Sequence, residues 1–248
     1  MDDHPARAYN QKADSSIRVG YRYLKEGKID GFASAGATGA MLVGAMYSAE
    51  TIRGAIRPAI SALVSPPDGG NFLLLDVGLN VDCKPDVLDQ YGLIGSAYTE
   101  TVLGKTAPRV ALLNIGEESE KGNLATKAAH ELMSDNDGYN FVGNIEANEI
   151  FTGRKADVVV CDGFVGNTIL KQTEGFYELA RMRGIDDEYI DRLNYEFVGG
   201  TAVLGINAVV LIGHGRSSAL AVQNMIRQTE KTVKSGLVNK LQDTFRNF

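Results

Sequence analysis

The stretch NFLLLDVG, residues 71–78, is a short run of apolar side chains that ends on an acidic residue and a glycine. Similar runs occur at RVALLNIG (109–116), FVGNI (141–145) and ADVVVCDG (156–163). Continuous apolar runs of this kind are typical of parallel strands covered on both faces, because every side chain on such a strand is buried. A helical pattern follows each run, so the sequence predicts an α/β fold with a largely parallel sheet.

The rest of the chain continues this alternation. We expect a helix in SSIRVGYRYLKEGKID (15–30) that ends near Gly27, and a single final helix over roughly 217–245. Further strands are expected at GFAS (31–34), AISALV (59–64) and AVVLIGHG (208–215), and further helices in the segments between the runs. The whole chain, 1–248, is interpreted as a single α/β domain.

Composition excludes several classes of protein. The chain has 248 residues, of which 44% are hydrophobic, so it can bury a sizeable core. It has no apolar run long enough to span a membrane and no signal peptide, so we expect a cytoplasmic protein. Cys83 and Cys161 lie far apart without metal-ligand spacing, and neither a metal nor a cofactor is expected. A net charge of −6 without a basic run argues against nucleic-acid binding.

Polar residues cluster after the apolar runs. In parallel sheets, ligands bind at the carboxyl ends of the strands, where these residues should meet. The residues that follow the successive runs are Ser34, Gly36, Thr38 and Gly39; Asp76, Asn80, Asp82 and Lys84; Asn114, Gly116, Glu117, Lys121 and Asn123; Asn144 and Glu146; and Asp162, Gly163, Gly166 and Asn167.

The segment GFASAGATGA, residues 31–40, has the composition of an anion-binding loop. Its glycines permit a tight turn, successive N–H groups can point inward, and the helix N-terminus adds partial positive charge. An alternative is that the glycines only allow close packing and that Thr38 only caps the helix. The dinucleotide fingerprint is absent, since Gly36 and Gly39 supply only G-x-x-G, and ETVLGKT (100–106) lacks the first glycine of a Walker A motif.

Six segments in this order resemble the bacterial phosphate acyltransferase family, the acyl-carrier-protein:phosphate acyltransferases of phospholipid synthesis. They are SAGATGAML (34–42), LLLDVGLNVDCKPDVL (73–88), LLNIGEESEKGN (112–123), FVGNIEAN (141–148), DVVVCDGFVGNTILK (157–171) and GGTAVLGI (199–206). The resemblance implies a three-layer α/β/α sandwich related to phosphotransacetylases. It also implies a homodimer, with acyl-carrier protein and inorganic phosphate as partners and a peripheral contact with the inner face of the membrane.

Three features depart from the family pattern. Members usually begin with strands that have no counterpart here, so we expect the N-terminal strands to be missing. Ala37 stands where the family usually has Asn. The helical insert, about 172–198, is shorter than in many members, and in the family this insert contributes to dimerisation and membrane contact.

The implied reaction is attack of a phosphate oxygen on a thioester, in which positioning and charge stabilisation dominate. Phosphate is expected to be held by Ser34, Gly36, Thr38 and Gly39. The backbone amides between Gly163 and Asn167, including that of Gly166, are expected to contribute as well. Lys84, Lys121 or Lys171 would offset its charge. Asn80, Asn114 or Asn167 would donate to the oxyanion, and His214 is a candidate general base. Further substrate contacts are expected from Asp76, Asp82, Glu117, Lys121, Asn123, Asn144 and Asp162.

Each candidate has a structural alternative. Asp76 and Asp162 are also suited to helix caps or loop acceptors, and Asp82 could pair with Lys84 at the surface. Lys121 is equally suited to a solvated first turn of a helix, Lys171 to the surface, and His214 to shaping its turn. We further expect Cys161 to be buried and His130 to be exposed.

Charge suggests how a carrier protein would dock. An acidic carrier needs a local basic patch, for which the candidates are Arg53, Arg57, Lys105, Arg109, Arg181 and Arg183. Two other functions stay open: a short-chain phosphotransacetylase that uses coenzyme A, and a non-catalytic module that binds phosphate or an acyl group.

Overall fold

The computed structural model describes residues 5–67, 69–152 and 155–246. The chain divides into two compact units: Met1–Pro58 with Tyr195–Phe248, and Ala59–Asn194. In chain order the elements are α1 (Pro5–Gln11), α2 (Ser16–Lys25), β1 (Gly31–Ser34), α3 (Thr38–Gly44) with a π-helical turn (Ala45–Ala49), β2 (Ala59–Val64), β3 (Phe72–Leu75), α4 (Pro85–Thr101), β4 (Arg109–Leu113), α5 (Leu124–Asp135), β5 (Asn140–Ile145), α6 (Ala147–Ile150), β6 (Val158–Val160), α7 (Gly163–Met182), α8 (Glu188–Arg192), α9 (Tyr195–Val198), β7 (Thr201–Leu204), β8 (Val209–Ile212), α10 (Ala219–Lys234) and α11 (Leu237–Arg246).

In the first unit the strand order is β1-β8-β7, with β1 parallel and β7 antiparallel to β8. Its N-terminal helices pack around Tyr21, which is fully buried and donates a hydrogen bond of 2.6 Å to the carbonyl of Met41. Gly44 permits this packing, because a Cβ atom there would lie 2.2 Å from the Tyr21 ring.

In the second unit the strand order is β2-β3-β6-β4-β5. Strands β3, β6, β4 and β5 run parallel, and β2 is antiparallel to β3. The carboxyl ends of the four parallel strands therefore lie at one edge. This arrangement confirms the predicted α/β class with a largely parallel sheet.

An ion cluster stabilises the opposite edge of this unit, just before β6. The carboxylate of Asp157 accepts bonds from Lys105 at 2.8 Å and from the Arg109 Nε at 2.9 Å. Burial alone would raise the pKa of Asp157, but the hydrogen bonds from these two cations outweigh it and hold the pKa well below its ordinary value. Lys105 and Arg109 are therefore engaged within the unit.

Two local predictions were wrong, and one strand was not predicted. The final helix is two helices, because Gly236 adopts a φ of 71° and ends the first of them. Strand β7 was not predicted, since TAVL is a four-residue run between glycines. Thr38 does not cap α3, because the N-cap position is occupied by Ala37.

None of the helices in the described part of the chain has the length and apolar character to cross a bilayer.

Candidate active site

The loop after β3 folds around the side chain of Asp76, which has no exposed surface. The carboxylate accepts hydrogen bonds from the backbone N–H groups of Ile60 (3.1 Å), Leu79 (3.2 Å) and Asn80 (2.6 Å). Burial raises the pKa of Asp76, and the hydrogen bonds that stabilise its charged form only partly offset this effect. In this arrangement Asp76 holds the loop in place and is shielded from solvent.

The side chain of Asn80 is committed within the same loop. Its Nδ2 donates to Asp76 Oδ2 at 3.1 Å and to the hydroxyl of Tyr91 at 2.7 Å. An amide nitrogen has two N–H bonds, so both are used here and neither is directed at a substrate oxyanion. The structure thus gives Asn80 a positioning role, whereas the sequence suggested an oxyanion donor. Tyr91 was not identified from the sequence, since it lies in the interior of α4.

The start of α7 packs directly on this loop. The N–H of Gly163 donates to the carbonyl of Asn80 at 2.7 Å, and that of Gly166 donates to the carbonyl of Asp162 at 3.0 Å. A Cβ atom at residue 166 would lie 1.9 Å from the carbonyl oxygen of Asp76, so only glycine fits there. These two glycines, predicted to bind phosphate through their amides, instead allow close packing and use those amides within the protein.

Asp162 is the N-cap of α7 and accepts a hydrogen bond of 2.8 Å from the N–H of Val165. This is the helix-cap role that the sequence offered as the alternative to a substrate contact. One turn further on, Asn167 is exposed, with no hydrogen-bond partner for its side chain among the described residues. Its amide lies beside Gly78, where an added Cβ would be 3.5 Å from Asn167 Oδ1. Of the predicted oxyanion donors, Asn167 is the one whose side chain is available.

Two cations stand at this edge of the second unit. Lys84 is exposed at the N-cap of α4, and within the described residues it forms no ion pair with the exposed Asp82. Lys121 is also exposed, but it lies in the loop before the N-cap of α5, whereas a position in the first helical turn was expected. By contrast, Lys171 is bound to Glu174 at 2.7 Å on the surface of α7, as expected.

The loop after β4 is fixed by two asparagines. Asn144, 1% exposed, donates to the carbonyl of Glu118 at 2.8 Å and contacts His130 Nδ1 at 3.0 Å. Asn114 donates to the carbonyl of Lys121 at 3.1 Å. The expectation that His130 is exposed was wrong, because this contact and the Phe141 ring hold it half-buried.

The remaining predicted substrate contacts at this edge have partners within the protein. Asn123 caps α5 by accepting a bond of 2.9 Å from the N–H of Thr126. Glu117 is bound to Lys155 at 2.5 Å, and the hydrogen bond from Lys155 lowers the pKa of Glu117. Lys155 also lies 3.7 Å from Glu149. The sequence did not point to Lys155, because it is far along the chain from the carboxylate it meets.

In the first unit, the glycine-rich loop leads from β1 into α3. The hydroxyl of Ser34 accepts a bond of 3.1 Å from the N–H of Gly36. Ala37 is the N-cap, and no side chain caps the helix, so the first-turn N–H groups are left without a side-chain acceptor. Thr38 is exposed, and Gly39 approaches Pro5 so closely that a Cβ would lie 2.6 Å from its ring. The loop therefore combines packing glycines with an uncapped helix N-terminus.

His214, after β8, shapes its own turn. Its Nδ1 accepts a bond of 3.2 Å from the N–H of Arg216, and its carbonyl accepts one of 2.6 Å from the hydroxyl of Ser217. The ring lies 4.6 Å from that of Tyr195. With Nδ1 accepting this bond, the neutral ring carries its proton on Nε2, so it can donate there but is not arranged as the general base suggested by the sequence.

The two cysteines are buried, which confirms the expectation for Cys161. Burial raises the pKa of Cys83 to about 11 and that of Cys161 well above its ordinary value. Both are therefore protonated near neutral pH and poor nucleophiles. Within the described residues, no cluster of three or more His, Cys, Asp or Glu side chains could hold a metal ion.

Comparison with known proteins identifies the family. A family described as fatty acid synthesis protein matches residues 1–183. The phosphate acyltransferase of Desulforamulus reducens is 42% identical over 265 residues, covering 100% of this chain and 79% of that protein. The chain belongs to the phosphate acyltransferase family. Another member, the phosphate acyltransferase of Dictyoglomus turgidum, is 39% identical over 260 residues, covering 97% of this chain and 77% of that protein.

Solved structures agree on the fold. A branched-chain phosphotransacylase from Enterococcus faecalis superposes with a TM-score of 0.61 at 16% identity, covering 89% of this chain and 80% of that one. The EutD phosphotransacetylase from Staphylococcus aureus gives a TM-score of 0.58 at 16% identity, covering 90% of this chain and 67% of that one. These similarities confirm the predicted relation to the phosphotransacetylase fold.

Proposed function

We propose that this chain transfers a fatty acyl group from acyl-carrier protein to inorganic phosphate in the cytoplasm. The observation that carries the proposal is identity of about 40% to phosphate acyltransferases along the whole chain. A phosphate oxygen attacks the thioester carbonyl, the carbon–sulfur bond breaks, and the carrier leaves as a thiolate that takes a proton from solvent. The products are an acyl phosphate and the free carrier.

The side chains support direct attack by phosphate. Cys83 and Cys161 are buried thiols with raised pKa values, so neither is suited to carry the acyl group as a thioester. A substantial fraction of inorganic phosphate is already the dianion near neutral pH, so no strong base is needed. Catalysis then rests on positioning and on stabilising the oxyanion.

We assign phosphate binding to the loop at the start of α3. Its uncapped first turn offers backbone N–H groups at the positive end of a helix, and the hydroxyls of Ser34 and Thr38 lie in the same segment. In the second unit, Lys84 and Lys121 are exposed and form no ion pair within the described residues, so we assign both to binding the negative charge of a substrate.

We assign the oxyanion to Asn167, since its amide is exposed while the amides of Asn80 and Asn114 hold their own loops. Removing one well-placed donor costs about 3 kcal/mol, or on the order of a hundredfold in rate. In the assay, hydroxylamine converts the acyl phosphate to a hydroxamate, which is then quantified. We expect Asn167→Ala to lower kcat about a hundredfold and Lys84→Ala to raise KM for phosphate.

Two variants serve as controls in this assay. Lys171→Ala removes a lysine that is paired with Glu174, and Asn148→Ala removes an exposed asparagine on α6. Both should retain the rate of the unmodified protein. Normal rates in Asn167→Ala and Lys84→Ala together would remove these residues from the site.

We also propose a homodimer that uses the outer face of α7. Phe176, Leu179 and Met182 are 53%, 53% and 83% exposed, and spacings of three residues place them on one side of the helix. Exposed apolar rows of this kind mark protein or lipid contacts. Leu179→Glu with Met182→Glu should shift the mass measured by light scattering to that of a monomer. If only binding to phospholipid vesicles is lost, the face is instead a peripheral membrane contact.

A further inference from the structure

The N-terminal helices concentrate positive charge in an acidic protein. Residues 5–30 contain six basic side chains and three acidic ones, hence three net positive charges, whereas the whole chain has a net charge of −6. Four of the six lie on or directly after α2. We call these four residues the α2 basic stripe: Arg18, Arg22, Lys25 and Lys28.

Helix geometry places the stripe on the solvent side. Arg18, Arg22 and Lys25 are spaced by four and three residues, so they share one face of α2. The large apolar side chains of the helix, including Ile17 and Leu24, pack instead into the core around Tyr21 and Met41. Arg22 and Lys25 are exposed.

The cations are held by neutral and aromatic groups. The Arg18 guanidinium donates to the carbonyls of Tyr9 at 2.7 Å and Asn10 at 2.8 Å, which fix its position without neutralising its charge. The Arg22 guanidinium and the Lys28 Nζ lie 5.7 Å and 5.2 Å from the centre of the Tyr23 ring.

Within the described residues, a carboxylate pairs with the stripe only at its last residue, Lys28. Lys28 contacts Glu26 at 2.7 Å in an exposed pair, which is worth little in water. Among the described residues, no carboxylate forms an ion pair with Arg22 or Lys25. Arg18, Arg22 and Lys25 therefore present positive charge that no ion pair within the described residues neutralises.

Three of the six basic residues suggested by the sequence are already paired with carboxylates. Lys105 and Arg109 are bound to Asp157, and Arg181 lies 3.2 Å from Asp186 and 3.5 Å from Asp191. We infer that the α2 basic stripe docks the acidic acyl-carrier protein. This inference rests on the proposed function, which supplies the partner, and on the charge complementarity between the two surfaces.

A protein partner fits this surface better than a membrane. A helix that binds lipid inserts an exposed apolar face between the headgroups. On α2 the aliphatic side chains are packed in the core, and Tyr23, 40% exposed, is the large apolar side chain that reaches solvent. The stripe therefore offers charge without an apolar face to insert.

Charge reversal tests the inference. In Arg22→Glu with Lys25→Glu, KM for the acyl carrier should rise about tenfold at low salt, with kcat and KM for phosphate unchanged. Added salt should raise KM of the unmodified protein and have little effect on the double variant, because screening removes the same attraction. The control, Lys127→Glu with Lys231→Glu, changes net charge equally at exposed positions on other helices and should leave all three constants unchanged.

Several outcomes would overturn the inference. An unchanged KM for the carrier in the first double variant would do so, as would an equal rise in both double variants. Loss of binding to anionic phospholipid vesicles with an unchanged KM would make the stripe a lipid contact instead. If the unmodified protein forms no acyl phosphate, the proposed function fails. Fluorescence anisotropy with labelled carrier then still tests the stripe directly.

Discussion

The side-chain amide of Asn80 donates a hydrogen bond of 2.7 Å to the hydroxyl of Tyr91, which has no exposed surface on α4. Tyr91→Phe removes the acceptor of this bond from the half-buried side chain of Asn80. Such a loss costs about 1–2 kcal/mol. Because the carbonyl of Asn80 also holds the first amide of α7, we expect lower kcat as well as lower stability, measured by turnover and by urea unfolding.

Tyr139→Phe is the matched control for this prediction. The Tyr139 hydroxyl donates to Asp89 at 2.6 Å in the same unit, and Asp89 lies on α4, outside the loop after β3. It should lose similar stability and keep its kcat. Full kcat in Tyr91→Phe would contradict a positioning role for the Asn80–Tyr91 bond.

Two glycines of α7 should respond to alanine in opposite ways. In Gly166→Ala the new Cβ would lie 1.9 Å from the carbonyl oxygen of Asp76, and relieving this clash should cost about 2–3 kcal/mol. At Gly175 a Cβ meets nothing within 4 Å, so Gly175→Ala should stabilise the helix by about 0.5–1 kcal/mol. Thermal unfolding of both variants measures these effects. Equal changes would mean that α7 does not pack on the loop as described.

Substitutions at Ala37 distinguish an effect on stability from an effect on phosphate binding. Ala37→Asp supplies the missing N-cap of α3 and should stabilise the protein by about 1 kcal/mol. Its carboxylate would also occupy the amides assigned to phosphate and repel the anion, so KM for phosphate should rise. Ala37→Asn restores the residue that the family usually has there and adds no charge, so it should not raise KM for phosphate. If Ala37→Asp leaves KM unaltered, phosphate binds elsewhere.

Because of Asp157, the free energy of unfolding should depend on pH under acidic conditions. Its pKa is depressed in the folded state, so the unfolded chain binds a proton more readily. The stabilisation is therefore complete above the unfolded pKa of about 4 and is lost as pH falls below that value. Asp157→Asn should cost about 2–3 kcal/mol at pH 7, and this difference should shrink towards pH 3. Urea unfolding at several pH values measures it, with the exposed Asp135→Asn as a control expected to show little change.

The sequence predicted the fold well because its strands are locally encoded. Runs such as Phe72–Leu75 are apolar throughout, and a strand buried on both faces requires nothing else. Strand β7 escaped prediction because four residues between glycines carry too little pattern.

The sequence predicted the position of the candidate site better than it predicted what each residue does there. Asp76 and Asp162 do lie just after β3 and β6, whereas Asn144 lies within β5, near its end. Asn80, however, has partners outside its own loop: its side chain meets Tyr91 on α4, and its carbonyl meets Gly163 on α7. Whether an amide donates to a substrate or to its own fold depends on such contacts, which no local pattern contains.

The most direct test of the central claim compares acyl donors with the unmodified protein. Acyl phosphate formation is measured with inorganic phosphate and either a long-chain acyl-carrier protein or acetyl-CoA. We predict efficient turnover of the carrier thioester and little of acetyl-CoA. Preference for acetyl-CoA, or phosphate binding without any acyl phosphate from either donor, would contradict the account.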